Sequence, residues 1–255
     1  MLTFTFIIWV INTVVYILTL FITAGSDKEL NDWVFLGPAL RTLHKFGALD
    51  AYEIRYNYQI WRLVTSLLLN TGFCTYVLTS IGIFVIGFMI ENNPKVSPIR
   101  MGALYFATGI LGNLFCVCIQ LDRVTVGNEA CLMGLVSCLI SGVIVNWHAL
   151  KGAGYIRICL IFMMVILFVI IMMISASNPT AGTQWDTVSL AGEGGGFMSG
   201  FGVGMMFMPF ALQRDSPYVK MIRKIGFGLT FILAAILIPV FFASVEPSPT
   251  IWTVI

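Results

Sequence analysis

Two carboxylates stand where carboxylates are rare. Glu129, in Gly127-Asn128-Glu129-Ala130, and Glu193, in Gly192-Glu193-Gly194-Gly195-Gly196, lie inside or at the mouth of long apolar stretches. An ionisable residue in hydrocarbon is costly and is a functional candidate by default. Two nearby carboxylates share a proton, which would suit acid-base work of the aspartyl kind. The pair could face each other across a cavity, at least one of them protonated, joined directly or through water. The plainer and preferred arrangement has each acid wetted by a water-admitting cavity or capped by amides at a helix start, where negative charge is favoured. A proton path through the two acids ranks last, because only Ser137 and Ser141 continue it before Asn146. The histidines are His44 and His148, and the six cysteines are Cys74, Cys116, Cys118, Cys131, Cys138 and Cys159. Neither set has metal-ligand or disulfide spacing, and the cysteines read as small packing residues. No metal and no cofactor is expected.

The elements that position these residues are membrane spans. The 255 residues are 58% hydrophobic and 10% charged, whereas a soluble domain carries about 25% charged residues, which excludes an ordinary water-soluble enzyme. The chain reads as an all-α polytopic membrane protein in contact with the lipid bilayer. Hydropathy places spans at 2–23, 72–91, 100–120, 127–147, 155–177, 192–212 and 222–245. Punctuation such as Asn92-Asn93-Pro94, Ser177-Asn178-Pro179 and Ser216-Pro217 separates them. Residues 24–59 form the one large loop, with Trp33, Phe35, Leu40, Leu43 and Leu49 suited to folding it against the membrane surface. The fourth and sixth spans are rich in Gly, Ser and Cys and should form the buried centre, since small residues let helices approach closely in lipid. The fifth, apolar from Ile158 to Ile174, reads as lipid-facing.

Charge sets the orientation. The even connections carry Lys95, Arg100, Lys151, Arg157, Arg214, Lys220, Arg223 and Lys224 against Glu91 and Asp215, and are therefore expected to be cytoplasmic. The 24–59 loop is then lumenal or extracellular. Net charge is +2, with no basic run dense enough for nucleic acid or an anionic-lipid patch. The first stretch lacks a basic leader and reads as an uncleaved span, with no Arg-rich transit peptide ahead of it.

Five landmarks now follow one another in order. Trp61-Arg62 follows Phe46-Gly47-Ala48-Leu49; Gly87 and Glu91 close the second span; Gly109-Ile110-Leu111-Gly112-Asn113 lies in the third. Val126-Gly127-Asn128-Glu129-Ala130 opens the fourth, followed by Gly134-Leu135, and Glu193-Gly194-Gly195-Gly196-Phe197 opens the sixth, with Gly196 and Gly200 as a ridge. This order resembles the rhomboid family of intramembrane serine proteases. The resemblance implies a rhomboid-like six-span core over residues 1–212. Residues 213–255 would then supply a cytoplasmic basic connector, a seventh C-terminal transmembrane helix and a short tail. That six-plus-one plan favours the secretory pathway (endoplasmic reticulum, Golgi or plasma membrane), with the mitochondrial inner membrane as the alternative.

By the same resemblance, Glu129 occupies the place of the catalytic serine and Glu193 that of the histidine, while Thr75 and Thr79 take the side-chain oxyanion positions and Asn70 that of an upstream loop histidine. Neither His44 nor His148 could reach a serine on the fourth span. Losing nucleophile, base and oxyanion donors together removes several orders of magnitude in rate. The expected function is a non-catalytic binder of partner transmembrane segments, held near the second and fifth spans, for trafficking, quality control or assembly. A stoichiometric subunit of a larger membrane complex is the second reading, and a serine-type endopeptidase with diverged residues the third. The remaining landmarks have structural expectations. Trp61 and a snorkelling Arg62 anchor the loop at the interface. Glu91 meets Lys95 or Arg100 at a helix end, Gly194 to Gly196 bring the fourth and sixth spans together, and Asn113 hydrogen-bonds within the bundle. Gly109, Gly127, Gly134, Gly196 and Gly200 are the candidate close-contact or partner-binding positions.

Overall fold

A computed structural model of the chain describes residues 3–26, 36–146, 162, 166, 190–208 and 217–243. Apart from Phe162 and Ile166, the fifth predicted span falls outside the described residues, as do His148, Trp33, Phe35 and Cys159. The long helices are α1 (Phe4–Ser26), α5 (Phe73–Glu91), α6 (Pro98–Ile119), α7 (Asn128–Val145), α8 (Leu190–Phe207) and α9 (Pro217–Ala243). Three short helices, α2 (Leu40–Lys45), α3 (Ala51–Tyr56) and α4 (Arg62–Thr65), fold the first loop. Five of the long helices, all except α8, are long and apolar enough to cross a membrane. The protein is an integral, multi-pass, all-α membrane protein. Its outer faces, such as Phe6, Val14 and Phe21 on α1 and Phe227, Phe231 and Phe242 on α9, are exposed and apolar, as lipid contact requires.

α7 is the central post, with nearly every side chain buried, Leu132, Met133, Leu135 and Val136 among them. Helices in lipid gain no hydrophobic driving force from meeting, so their contacts depend on close backbone approach. α8 supplies that approach with one glycine per turn. A Cβ on Gly196 would fall on the Ala130 carbonyl, one on Gly200 on the Gly134 carbonyl, and one on Gly204 on the Ser141 hydroxyl. α6 closes the third side: a Cβ on Gly112 would lie 2.8 Å from the Gly196 nitrogen, and one on Gly134 would overlap Thr108.

α1 and α5 form a second pair. A Cβ on Gly87 would lie 2.6 Å from the Thr5 side chain, and the Tyr16 and Tyr76 rings stack at 4.5 Å. α9 lies against the opposite face of α8, where a Cβ on Gly226 would lie 2.8 Å from the Gly202 carbonyl. Its far end reaches the loop: Phe241 is buried among Leu49, Ala51, Ile54 and Leu63, and the Arg55 guanidinium donates to the Phe242 carbonyl (2.6 Å).

The loop itself is a folded unit. β1 (Leu49–Asp50) pairs antiparallel with β2 (Val124–Thr125), placing Leu49 opposite Thr125 and so joining the loop to the entry of α7. Leu43 and Leu49 are buried, so these two side chains fill the loop's own core instead of lying on a membrane surface. Asp50 caps α3 through the Tyr52 amide (2.9 Å) and pairs with His44 (3.2 Å). Gly47 turns the chain at φ +93°, a conformation that favours glycine.

Candidate functional site

The start of α7 is fixed from three directions. The Gly127 amide donates to the Ser66 carbonyl (3.0 Å), and Asn113 Nδ2 donates to the Leu63 carbonyl (2.9 Å) and to Ser66 Oγ (2.8 Å). A Cβ on Gly127 would overlap the Asn113 amide, so glycine there lets α6 and the α7 entry touch. Glu129 follows in the first turn of α7, and Glu193 lies in the first turn of α8. Both are buried. The Gly196–Ala130 crossing brings these two acidic turns to the same end of one helix pair, each at the positive end of its helix dipole. Each acid stands at a helix start, where negative charge is favoured.

Neither threonine of α5 is held ready to donate into an open cavity. Thr75 Oγ1 accepts the Gly72 amide (3.1 Å), lies 2.9 Å from Thr71 Oγ1 and caps its own helix. Thr79 Oγ1 lies 3.0 Å from Asn70 Oδ1 and 2.8 Å from the Thr75 carbonyl, sharing its one proton between them. The same Asn70 oxygen accepts Asn128 Nδ2 (2.9 Å). Thr79, Asn70 and Asn128 thus bind one another, joining α5, the preceding loop and α7.

Two sequence expectations are corrected. Arg62 does not snorkel: it is 5% exposed and donates to Gln59 Oε1 (2.7 Å) and to the His44 (3.0 Å) and Ala48 (2.8 Å) carbonyls. Its neighbour Trp61, 57% exposed, keeps the outward position alone. Burial lowers the Arg62 pKa from its ordinary value, and Asp50 and Glu53 act in the opposite sense by holding the charged form. Glu91 turns toward α1, where its two oxygens accept the Phe4 (2.9 Å) and Thr5 (3.1 Å) amides and cap that helix, while Arg100 donates to the Lys95 carbonyl (2.9 Å). The Gly194–Gly196 run also divides by helical period. Gly196 meets α7, Gly195 meets Phe115 of α6, and a Cβ on Gly194 would meet nothing within 4 Å. Of the close-contact positions, Gly109 packs against Leu67 and Cys131, Gly134 against Thr108, and Gly200 against Gly134 and Ser137.

A rhomboid domain family model matches residues 57–210, which contain Arg62, Asn70, Thr75, Thr79, Glu91, Asn113, Glu129 and Glu193. The chain belongs to the rhomboid family. Relatives include RHOMBOID-like protein 1 of Arabidopsis thaliana, 27% identical over 79% of this chain and 50% of that protein. RHOMBOID-like protein 6, mitochondrial, from the same organism is 29% identical over 50% of this chain and 41% of the relative. Inactive RHOMBOID-like protein 8 is 28% identical over 48% of this chain and 34% of the relative. The matches thus span half or less of these three relatives' lengths.

In this rhomboid the contacts that organise the site come partly from residues the sequence reading passed over. Asn128, Tyr105 and Ser66 are buried polar residues that carry the hydrogen bonds around the α7 entry. Ser66 lies in a stretch whose polarity reads only as a short interfacial piece before the span, whereas Asn70 takes the place of the upstream loop histidine in the family resemblance. Among the described residues, Cys74, Cys116, Cys118, Cys131 and Cys138 form no disulfide.

Proposed function

We propose that this rhomboid is a pseudoprotease that binds transmembrane segments of partner membrane proteins in trafficking, quality control or assembly. The observation that carries the reading is the pair of buried acids, Glu129 and Glu193, in the first turns of the two helices that cross at Gly196 and Ala130. By the family resemblance these are the places of the nucleophile and its base. A carboxylate in the serine's place has no hydroxyl to attack a peptide carbonyl, and Glu193 has no imidazole to relay the proton. The Thr75 and Thr79 hydroxyls are held by the capping and Asn70 contacts, so they are poorly placed as oxyanion donors. A relative that carries the word inactive in its name fits the same reading. With chemistry gone and the bundle kept, the use that remains is recognition. The exposed apolar face of α5, with Ile81, Phe84, Val85 and Phe88, is the surface we assign to a partner helix. We place the protein in the secretory pathway, with the mitochondrial inner membrane as the alternative.

Mild-detergent pull-down of the full chain with quantitative mass spectrometry tests this. Binding of clients predicts many membrane proteins at substoichiometric yield, reduced by Phe84→Ala/Phe88→Ala. A fixed set of proteins at constant ratio would instead identify a stoichiometric subunit and overturn the client reading.

A further inference from the structure

The two ends of α9 are seated by different chemistry. The first half lies on α8 through the backbone: a Cβ on Gly226 would lie 2.8 Å from the Gly202 carbonyl, and one on Gly202 would lie 3.2 Å from the Gly226 carbonyl. Val219 and Ile222 of the same half are buried beside Val145 of α7. Beyond Leu237, whose carbonyl accepts Cys118 Sγ (3.4 Å), the support changes. The last turn holds the first loop through one ring and one hydrogen bond. Phe241 is buried in one cluster with Leu49, Ala51, Ile54 and Leu63, and Arg55 Nη2 donates to the Phe242 carbonyl (2.6 Å). Carbonyls in the final turn of a helix have no intrahelical donor and sit at the negative end of its dipole, so a guanidinium is a fitting partner. Pro239 stands just before this turn. Having no N–H, it leaves the Ala235 carbonyl without the amide that would bond it in a helix, and such a break is where one helix segment bends against the next.

The loop residues under the last turn lead to the entry of α7. Leu49, which shares the Phe241 cluster, pairs with Thr125 in the β1–β2 ladder. Thr125 Oγ1 also lies 3.4 Å from Cys116 Sγ, and Cys116 belongs to the same cluster. Two residues further on, the Gly127 amide donates to the Ser66 carbonyl, and α7 begins at Asn128.

We propose that the last turn of α9 is a latch, hinged at Pro239, that holds the first loop and the entry of α7 as one cooperative unit. Seated, it fixes β1 against β2. Unseated, it frees residues 49–56 and 124–128 together, while the first half of α9 stays on α8. The latch works the same way whether the bundle cleaves peptides or only binds partner helices.

Hydrogen–deuterium exchange of the full chain in nanodiscs, read by mass spectrometry, tests the latch, because segments that open as one unit change their exchange together. Arg55→Met keeps an aliphatic stem and removes the charged donor, and Phe241→Ala removes the ring. Each is expected to speed exchange severalfold in both 49–56 and 124–128 while leaving α5 unchanged. Pro239→Ala restores the helix bond to Ala235 and is expected to slow exchange in the same two segments severalfold. Faster exchange in 49–56 with 124–128 unchanged would overturn the latch and reduce the contact to local packing. Exchange that Arg55→Met leaves unchanged in both segments would overturn it equally, and this comparison stands even if Phe241→Ala fails to fold. Exchange unchanged or faster in Pro239→Ala would overturn the hinge.

Discussion

The glycine run of α8 allows the packing account to be tested at neighbouring positions with one substitution type. Ala in place of Gly adds a single methyl group and raises helix propensity by about 1 kcal/mol. At Gly194 that methyl meets nothing within 4 Å, so the propensity gain stands alone and the variant should be stabilised by up to about 1 kcal/mol. At Gly196 the methyl lands on the Ala130 carbonyl, and at Gly200 on the Gly134 carbonyl. Those are backbone atoms of α7, which cannot rotate aside as a side-chain tip does. Relief requires the two helices to move apart, and overpacking of this kind costs about 1–3 kcal/mol. Much of that cost exceeds the propensity gain, so Gly196→Ala and Gly200→Ala should lower stability while Gly194→Ala leaves or raises it. Thermal unfolding in one detergent, followed by intrinsic fluorescence, ranks the three variants. If Gly194→Ala destabilised as much as Gly196→Ala, the α7–α8 contact face would be assigned to the wrong side of the helix.

Three further outcomes follow from the described contacts. Glu91→Ala removes the acceptor of two α1 amides and should cost about 1–2 kcal/mol, seen as a lower Tm and faster proteolysis near Phe4; an unchanged rate would mean that the cap carries no weight. Arg62→Lys keeps the charge and loses the fork that reaches Gln59, His44 and Ala48, so loop stability should fall by about 2 kcal/mol, read as cleavage within 40–60 by limited proteolysis. Phe241→Ala empties the loop contact of α9 and should cost about 3 kcal/mol in thermal unfolding, whereas the outward Phe242→Ala should cost little.

Much of this architecture is readable because membrane physics is one-dimensional: a window of apolar residues long enough to cross is visible without any partner. The glycine positions are readable for a related reason, since close helix approach in lipid leaves a small-residue imprint at four-residue spacing, as at Gly196 and Gly200. What was misread depended on distant partners. Glu91 has basic residues close in sequence, but the groups it satisfies are amides 86 and 87 residues away. Arg62 beside Trp61 has the composition of an interfacial belt, and only the fold of residues 44–59 over it turns a surface cation into a buried one. Gly194 belongs to a run that is uniform in composition, yet the helix turns it away from α7. The Tyr105–Asn128–Asn70 contacts were hidden because their members come from three separate segments of the chain.

The central claim, that Glu129 and Glu193 mark a bundle that has lost its chemistry, is tested most directly by proteolysis in a defined bilayer. The unmodified chain, Glu129→Ala and the double variant Glu129→Ser/Glu193→His are reconstituted with a fluorogenic transmembrane substrate and a serine-directed activity probe. The account predicts no cleavage and no labelling by the unmodified chain above Glu129→Ala. The double variant should gain at most weak labelling without turnover, since each missing oxyanion donor costs about 100- to 1,000-fold in rate. Cleavage by the unmodified chain that Glu129→Ala abolishes would contradict the account and make Glu129 a catalytic residue.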